Sequence, residues 1–243
     1  IDKISLRKQV KGIGIGVPGI LDEKRERILN LPNITGWKNI NLKKIIENKT
    51  GKKVLMENDA NCTALAEFLF GHGKKVKNLA CLTIGTGLGG GIIINKKIYI
   101  GKGNAAEFGH ITIEPQGIKC NCGNYGCLEE YISGRGIERI AKKLDLNKNV
   151  YEIYKLAKKG DKKALKVYEI VGKYLGIGIS NIIMVLDPDL IVMGGGISNS
   201  GNILLNPTIK EVKKRVFFKP CPIKLIKLEG DAGAIGAASL FLR

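Results

Sequence analysis

Residues 104–130 read NAAEFGHITIEPQGIKCNCGNYGCLEE, so a histidine, three cysteines and several carboxylates fall in one stretch of loop-like composition. Cys120, Cys122 and Cys127 offer soft thiolates, and Gly123 and Gly126 between them supply the tight turns such a cluster needs. The imidazole of His110, upstream, completes a set of three sulfurs and one nitrogen, the donor chemistry of tetrahedral zinc. Four protein ligands leave no open position, so Zn²⁺ here is expected to clamp structure, with the reaction chemistry beside it. Buried structural thiols account less well for a C-x-C-x4-C run interrupted by glycine and asparagine.

Glu107 precedes His110 and Glu129 follows Cys127, so folding this loop around a metal would fix both acids in one neighbourhood. Carboxylates accept hydrogen bonds from paired hydroxyls such as a sugar presents. If one imidazole nitrogen of His110 binds zinc, the other stays free for a substrate hydroxyl. The plainer reading of the acids is a stapled surface loop with solvated carboxylates.

The candidate base lies in LMENDANCTALAEFLFG, where Asp59 opens a helix whose apolar positions recur at Cys62, Leu65, Ala66 and Leu69. Aspartate there reads first as an N-cap, and capping plus the helix dipole are expected to keep it ionised. A carboxylate fixed at the mouth of a helix is also well placed to take a proton from a bound hydroxyl. Phosphate is expected at the glycine turn 85–91, GTGLGGG, where backbone N–H groups can approach an anion and Thr86 adds a hydroxyl. It is neither a Walker loop nor a Rossmann fingerprint, because no Gly-Lys-Ser/Thr follows and the next element is a strand. Gly194, Gly195 and Gly196, after an apolar strand, form a turn that admits a flat ligand beside the backbone or is simply a tight connection.

The elements that must position these groups alternate between strand and helix, the pattern of an α/β protein with largely parallel sheets. Strand-plus-glycine segments cover 10–19, 79–95 and 189–198. Helices are expected at about 41–50, 59–70, 129–144, 151–159, 161–186, 203–215 and 231–242, the last small on one face and suited to close packing against another lobe. The apolar helical stretch after Tyr174 ends at Asp187 and Pro188, too early to span a bilayer, so the reading is a soluble chain. The six cysteines look reduced, which with no visible signal peptide favours the cytoplasm. The formal charge of +18 is spread as short Lys pairs mixed with acids, a solvated face that argues against nucleic acid as a partner of these residues. The same field favours anionic substrates such as nucleotides.

Taken in order, GVPG, ENDAN, TIGTGLGGG, GNAAEFGH, CNCGNYGCLEE, VMGGG and DAGAIGAA resemble the ROK family of sugar kinases and sugar-responsive repressors, over essentially the whole chain. The resemblance implies an actin-like, ribonuclease-H-like ATPase fold with two lobes and a cleft. Residues 1–75 and 230–243 would form the N-terminal lobe, and 76–229 the C-terminal lobe with the zinc loop and nucleotide motifs. It also implies a hexose acceptor, ATP and Mg²⁺, and structural Zn²⁺ on His110, Cys120, Cys122 and Cys127. Asp59 would be the catalytic base and, together with Asn58, Glu107, His110 and Glu129, would bind the sugar. Thr86, Gly87, Gly89, Gly90 and Gly91 would face the ATP phosphates and Gly194–Gly196 the adenosine. A homodimer or higher oligomer is implied as well.

Members usually begin with an Asp-x-Gly-Gly-Thr phosphate loop, whereas this chain opens roughly where the helix after the third strand should end. If it truly starts at Ile1, little kinase activity is expected. Ala106 stands where the family often has glycine, a change expected to tilt Glu107 and alter which sugar fits. The functional expectation is a glucokinase acting on the 6-hydroxyl of glucose, with N-acetylmannosamine, N-acetylglucosamine, fructose and allose fitting the same scaffold. The alternative is the sugar-sensing body of a repressor, but a pure sensor needs neither a base nor ATP contacts.

Overall fold

The computed structural model describes residues 10–31, 34 and 36–242 of the chain. The expectation that the chain opens on the end of a helix falls on residues 1–9, outside the described residues. GIGIGV, alternating β-branched residues with glycine, forms β1 (Gly12–Val17), and a short antiparallel sheet follows as β2 (Ile20–Leu21), β3 (Ile28–Asn30) and β4 (Lys38–Ile40). Helix α1 (Leu42–Thr50) is capped by the Asn41 side chain and ends on Gly51 in the left-handed region. Strand β5 (Lys53–Asn58) pairs in parallel with β1 and runs directly into α2 (Asp59–Leu69).

Strands β6 (Leu79–Ile84), β7 (Leu88–Ile94) and β8 (Lys97–Ile98) come next, and β9 (Leu190–Gly194) and β10 (Ile223–Leu225) complete a five-stranded sheet in the order β10-β9-β6-β7-β8. β9 and β10 are parallel and β7 and β8 antiparallel, so the sheets are mixed where largely parallel ones were expected. The remaining helices are α3 (Glu129–Ile132), α4 (Gly134–Lys143), α5 (Val150–Lys158), α6 (Lys162–Leu186), α7 (Asn202–Arg215) and α8 (Ala232–Ser239).

One expected helix, 129–144, is two. Ser133 adopts extended backbone and its hydroxyl caps α4 by accepting from the Gly136 amide, so the chain turns after α3. A side chain at Gly136 would press on the Tyr131 and Glu130 backbone, which keeps that turn tight.

The chain divides into two compact units, 1–81 with 91–106 and 226–243, and 82–90 with 107–225. Residues 91–106, assigned from sequence to the C-terminal lobe, cluster with the first unit. The reason is visible at Gly91, where an added Cβ would meet Ala64 Cβ at 2.6 Å and the Ala60 carbonyl at 2.8 Å: the strand lies directly on α2.

In the first unit, Val17, Leu21, Ile28, Leu31, Ile46, Val54 and Met56 form one buried cluster. Helix α8 packs on α2 and β1, so its small face serves this unit. Any side chain at Gly236 would collide with the Cys62 backbone, and one at Gly14 with the Ala237 backbone. In the second unit the long helix α6 is apolar enough to cross a membrane by length and composition, more of it than the stretch after Tyr174 picked out from sequence. It is a core helix here: Val167, Val171, Leu175, Ile179 and Ile183 are fully buried, and Gly172 and Gly176 bring it against Pro207, Thr208 and Glu211 of α7.

Two glycines of α8 separate packing from propensity. Gly236→Ala is expected to destabilise the protein by about 1–3 kcal/mol through overpacking. Gly233→Ala, whose Cβ would meet nothing nearer than Thr63 Oγ1 at 3.9 Å, should be neutral or stabilising. Urea unfolding of the two variants checks this; equal effects would contradict the packing.

Candidate active site

In the first unit the N-cap of α2 is Asn58, not Asp59 as expected from sequence. The Asn58 backbone is extended and its Oδ1 accepts from the amides of Ala60 and Asn61 at 2.9 and 3.3 Å. Its Nδ2 donates to the Gly19 carbonyl at 3.5 Å, and Gly16 leaves room for Asp59, whose Cα and Cβ an added side chain would meet at 3.5 and 3.7 Å. The GVPG turn thus flanks both residues. With capping left to Asn58, Asp59 is the first helical residue and its carboxylate accepts the Ala60 amide at 2.8 Å.

Asp59 as a residue is exposed, and partial burial of its carboxyl raises its pKa above the usual carboxylate value, desolvation outweighing the backbone hydrogen bonds that lower it. A raised carboxylate with an open face is chemically a better proton acceptor than a solvated one.

In the second unit the cysteine loop assembles as expected. The donor atoms of His110, Cys120, Cys122 and Cys127 all lie within 4.8 Å of one another, with Cys120 Sγ 3.7 Å from His110 Nδ1 and Cys122 Sγ 3.6 Å from Cys127 Sγ. Zinc bonds of about 2.3 Å to sulfur and 2.0–2.1 Å to nitrogen place tetrahedral donors roughly 3.5–3.8 Å apart, so the four fit Zn²⁺. Bridges Thr112–Cys127 and Lys119–Tyr125 tie the loop, and Gly123 and Gly126 take φ of 96° and 70°. At Gly126 a side chain would also strike the Glu114 carbonyl.

Glu107 and His110 bracket one short 3₁₀ turn, Phe108–His110, closed by the His110 amide on the Glu107 carbonyl at 3.0 Å. Ala106 sits in the left-handed region at φ 70°, a backbone that glycine adopts more readily. Glu129, half-buried at the start of α3, accepts the Leu88 amide at 2.8 Å, and an added Cβ at Gly109 would lie 3.4 Å from its Oε2. Cys120, Glu129 and Glu130 also bring ligand atoms within 4.8 Å of each other, so Glu129 does stand beside the metal loop.

The glycine turn is Gly85, Thr86 and Gly87, whereas Gly89, Gly90 and Gly91 belong to β7. A side chain at Gly87 would meet Glu129 Oε2 at 2.5 Å, and Gly91 is accounted for by packing on α2. Gly194 ends β9, Gly195 takes φ of 87° against the Ile84 backbone, and Gly196 faces open space. Gly85, Thr86 and Gly196 share one cavity of about 430 Å³.

The sequence reading missed the rest of its wall: Gly134, Val150, Tyr151, Tyr154 and Tyr168, with Ile197, Asn199 and Ser200. Only spacing along α5 and α6 could have hinted at the tyrosines. Burial pushes the Tyr168 phenol up to about 12, with Ser200 as its hydrogen-bond partner, so it is a neutral donor or acceptor. Lys155 Nζ lies 4.2 Å from the Tyr151 ring centroid and adds positive charge near this wall.

The ROK family profile matches residues 2–243. A glucokinase of Streptomyces coelicolor is 36% identical over 255 residues, covering 96% of this chain and 80% of that protein. A xylose repressor of Caldicellulosiruptor bescii is 34% identical, covering 97% of this chain but 63% of the repressor. Among solved structures, the ROK family glucokinase from Streptomyces griseus in complex with glucose and AMPPNP superposes with a TM-score of 0.85 at 35% identity, over 97% of this chain and 83% of that one. With a family profile that matches nearly every residue and relatives at 34–36% identity in agreement, the chain belongs to the ROK family.

Proposed function

We propose that this ROK-family protein is an ATP-dependent hexose kinase, a glucokinase that phosphorylates the 6-hydroxyl of glucose. The observation that carries the reading is Asp59, held at the first turn of α2 with its carboxylate open on one side and its basicity raised. A sugar sensor has no use for such a group. Similarity to glucokinases, the S. coelicolor protein at 36% identity among them, supports the same reading. A kinase for another hexose, or the sugar-sensing part of a repressor, is the competing reading.

In this account Asn58, Glu107, His110 and Glu129 each bind hexose hydroxyls. His110 has Nδ1 turned to the thiolates, leaving Nε2 for the sugar. Asp59 takes the 6-hydroxyl proton as that oxygen bonds to the γ-phosphorus of MgATP and the bond to the ADP oxygen breaks. Thr86 and the turn amides face the phosphates, and the wall of Gly196, Tyr154 and Tyr168 receives the nucleoside. Bound Zn²⁺ would hold the loop that carries Glu129 and His110 and take no part in proton or phosphoryl transfer. The proposal extends to a cytoplasmic setting and to a homodimer or higher homo-oligomer, both resting on the family resemblance alone.

The direct test is ADP release by the full-length protein with ATP and a panel of hexoses. Turnover on glucose should fall about 10²- to 10⁴-fold in Asp59→Asn. No turnover on any hexose, with glucose still raising thermal stability, would favour the sensor.

The pH profile carries its own sign. Asp59 works deprotonated, so kcat/KM should fall as pH drops through its raised pKa, at a pH above the ordinary aspartate value of about 3.9. A limb at or below that value would contradict the placement. Cys122→Ser should lose zinc by elemental analysis, speed amide exchange over residues 107–129 and abolish glucose binding together. Retained glucose affinity without metal would separate the two roles. Gly196→Leu, projecting into the cavity, should raise KM for ATP on the order of tenfold with KM for glucose unchanged.

A further inference from the structure

We infer that the buried Arg25–Glu57 pair is what sets Asn58 and Asp59 in place, two positioning residues behind the base; the inference rests on the reading of Asp59 given above. Glu57 is the residue of β5 before the cap and is only 3% exposed. Its Oε1 accepts the Asn58 amide at 2.9 Å and Asn61 Nδ2 at 3.1 Å. One carboxylate oxygen therefore grips the backbone of the cap residue and a side chain of the first helical turn, on either side of Asp59.

Arg25 supplies the countercharge, its Nε 3.1 Å from the same oxygen. It is aimed by its own turn, where Asp22 Oδ1 accepts the Glu26 and Arg27 amides at 2.7 and 2.8 Å and Arg25 takes φ of 56°. Its Nη1 donates to the Gly103 carbonyl at 3.1 Å, in the turn that leads along the chain to Ala106 and Glu107. The guanidinium thus joins the 22–27 turn, the end of β5 and the 100–106 turn inside the first unit.

The pair is poorly optimised for stability. Nε approaches Glu57 outside hydrogen-bond geometry, and Arg25 Nη2 and Asn61 Oδ1 are buried with no hydrogen-bond partner among the described residues. Buried ion pairs with unmet polar atoms seldom outperform apolar side chains of similar size. What the pair does accomplish is geometric: it fixes the strand-to-helix junction from which Asn58 and Asp59 project, where a displacement of about 1 Å costs up to 10²-fold in rate.

The test uses the full-length protein with two changes. Glu57→Gln keeps an acceptor oxygen and removes the charge; the double variant Arg25→Met/Glu57→Leu removes the pair and leaves no orphaned charge, so it guards against misfolding. The expectation is a fall in kcat of about 10- to 100-fold in both, with KM for ATP unchanged, weaker glucose binding, and a double variant that melts close to the parent. Parent kcat and glucose affinity in the folded double variant would overturn the inference.

Asp59→Asn run alongside separates the two claims. If it loses turnover while the pair variants keep it, positioning fails and the base reading stands. If Asp59→Asn keeps turnover, the base reading fails, and the glucose-induced thermal shift judges the pair: a lost shift in the double variant supports positioning of Asn58, a retained one refutes it.

Discussion

Everything proposed for Asp59 depends on how closely α2 is approached by its neighbours. Gly236 of α8 lies on the Cys62 backbone, Gly91 of β7 on Ala60 and Ala64, and Gly16 of β1 beside Asp59 itself. The first two contacts exist because the residue has no side chain, whereas an added Cβ at Gly16 would make only ordinary contact with Asp59; each arrives from a different element. Close packing against backbone limits how far the helix can roll. Within that limit, the cap by Asn58 and the grip of Glu57 set the junction from which Asn58 and Asp59 project.

The second unit builds its candidate metal loop by other means. That loop has little apolar content and no long helix of its own, and it combines four clustered donor side chains, two isolated bridges and glycines in left-handed backbone. Glu129 inherits its place from both neighbours, following Cys127 along the chain and accepting the Leu88 amide beside the glycine turn. A small residue is again the condition, since any side chain at Gly87 would displace that carboxylate.

Much of this was legible in the sequence because it depends on spacing. The C-x-C-x4-C run with His110 upstream gives the donor set, and long periodic segments give α6 and α7 nearly to their ends. What the sequence does not display are choices between adjacent residues and contacts between distant ones. Asn58 and Asp59 are both good caps, and only the backbone reveals that the first takes the role. Ser133 splits one apolar run into α3 and α4 because a hydroxyl capping its own chain leaves no periodic trace. Tyr151, Tyr154 and Tyr168 read as surface or core residues until the fold brings them to Thr86 and Gly196, and Arg25 gives no sign in the sequence of meeting Glu57. Gly89–Gly91 read as loop when they are strand, since close backbone approach and turn formation use the same residue.

The most direct measurement is single-turnover transfer of the γ-phosphoryl group from ATP to glucose, by rapid quench, in the full-length protein and in Asp59→Asn, with glucose affinity measured on both. The account predicts glucose 6-phosphate from the parent, a transfer step slowed by orders of magnitude in the variant, and nearly equal affinities. Equal transfer rates, or a variant that has lost glucose binding along with transfer, would contradict the assignment of Asp59 as the base.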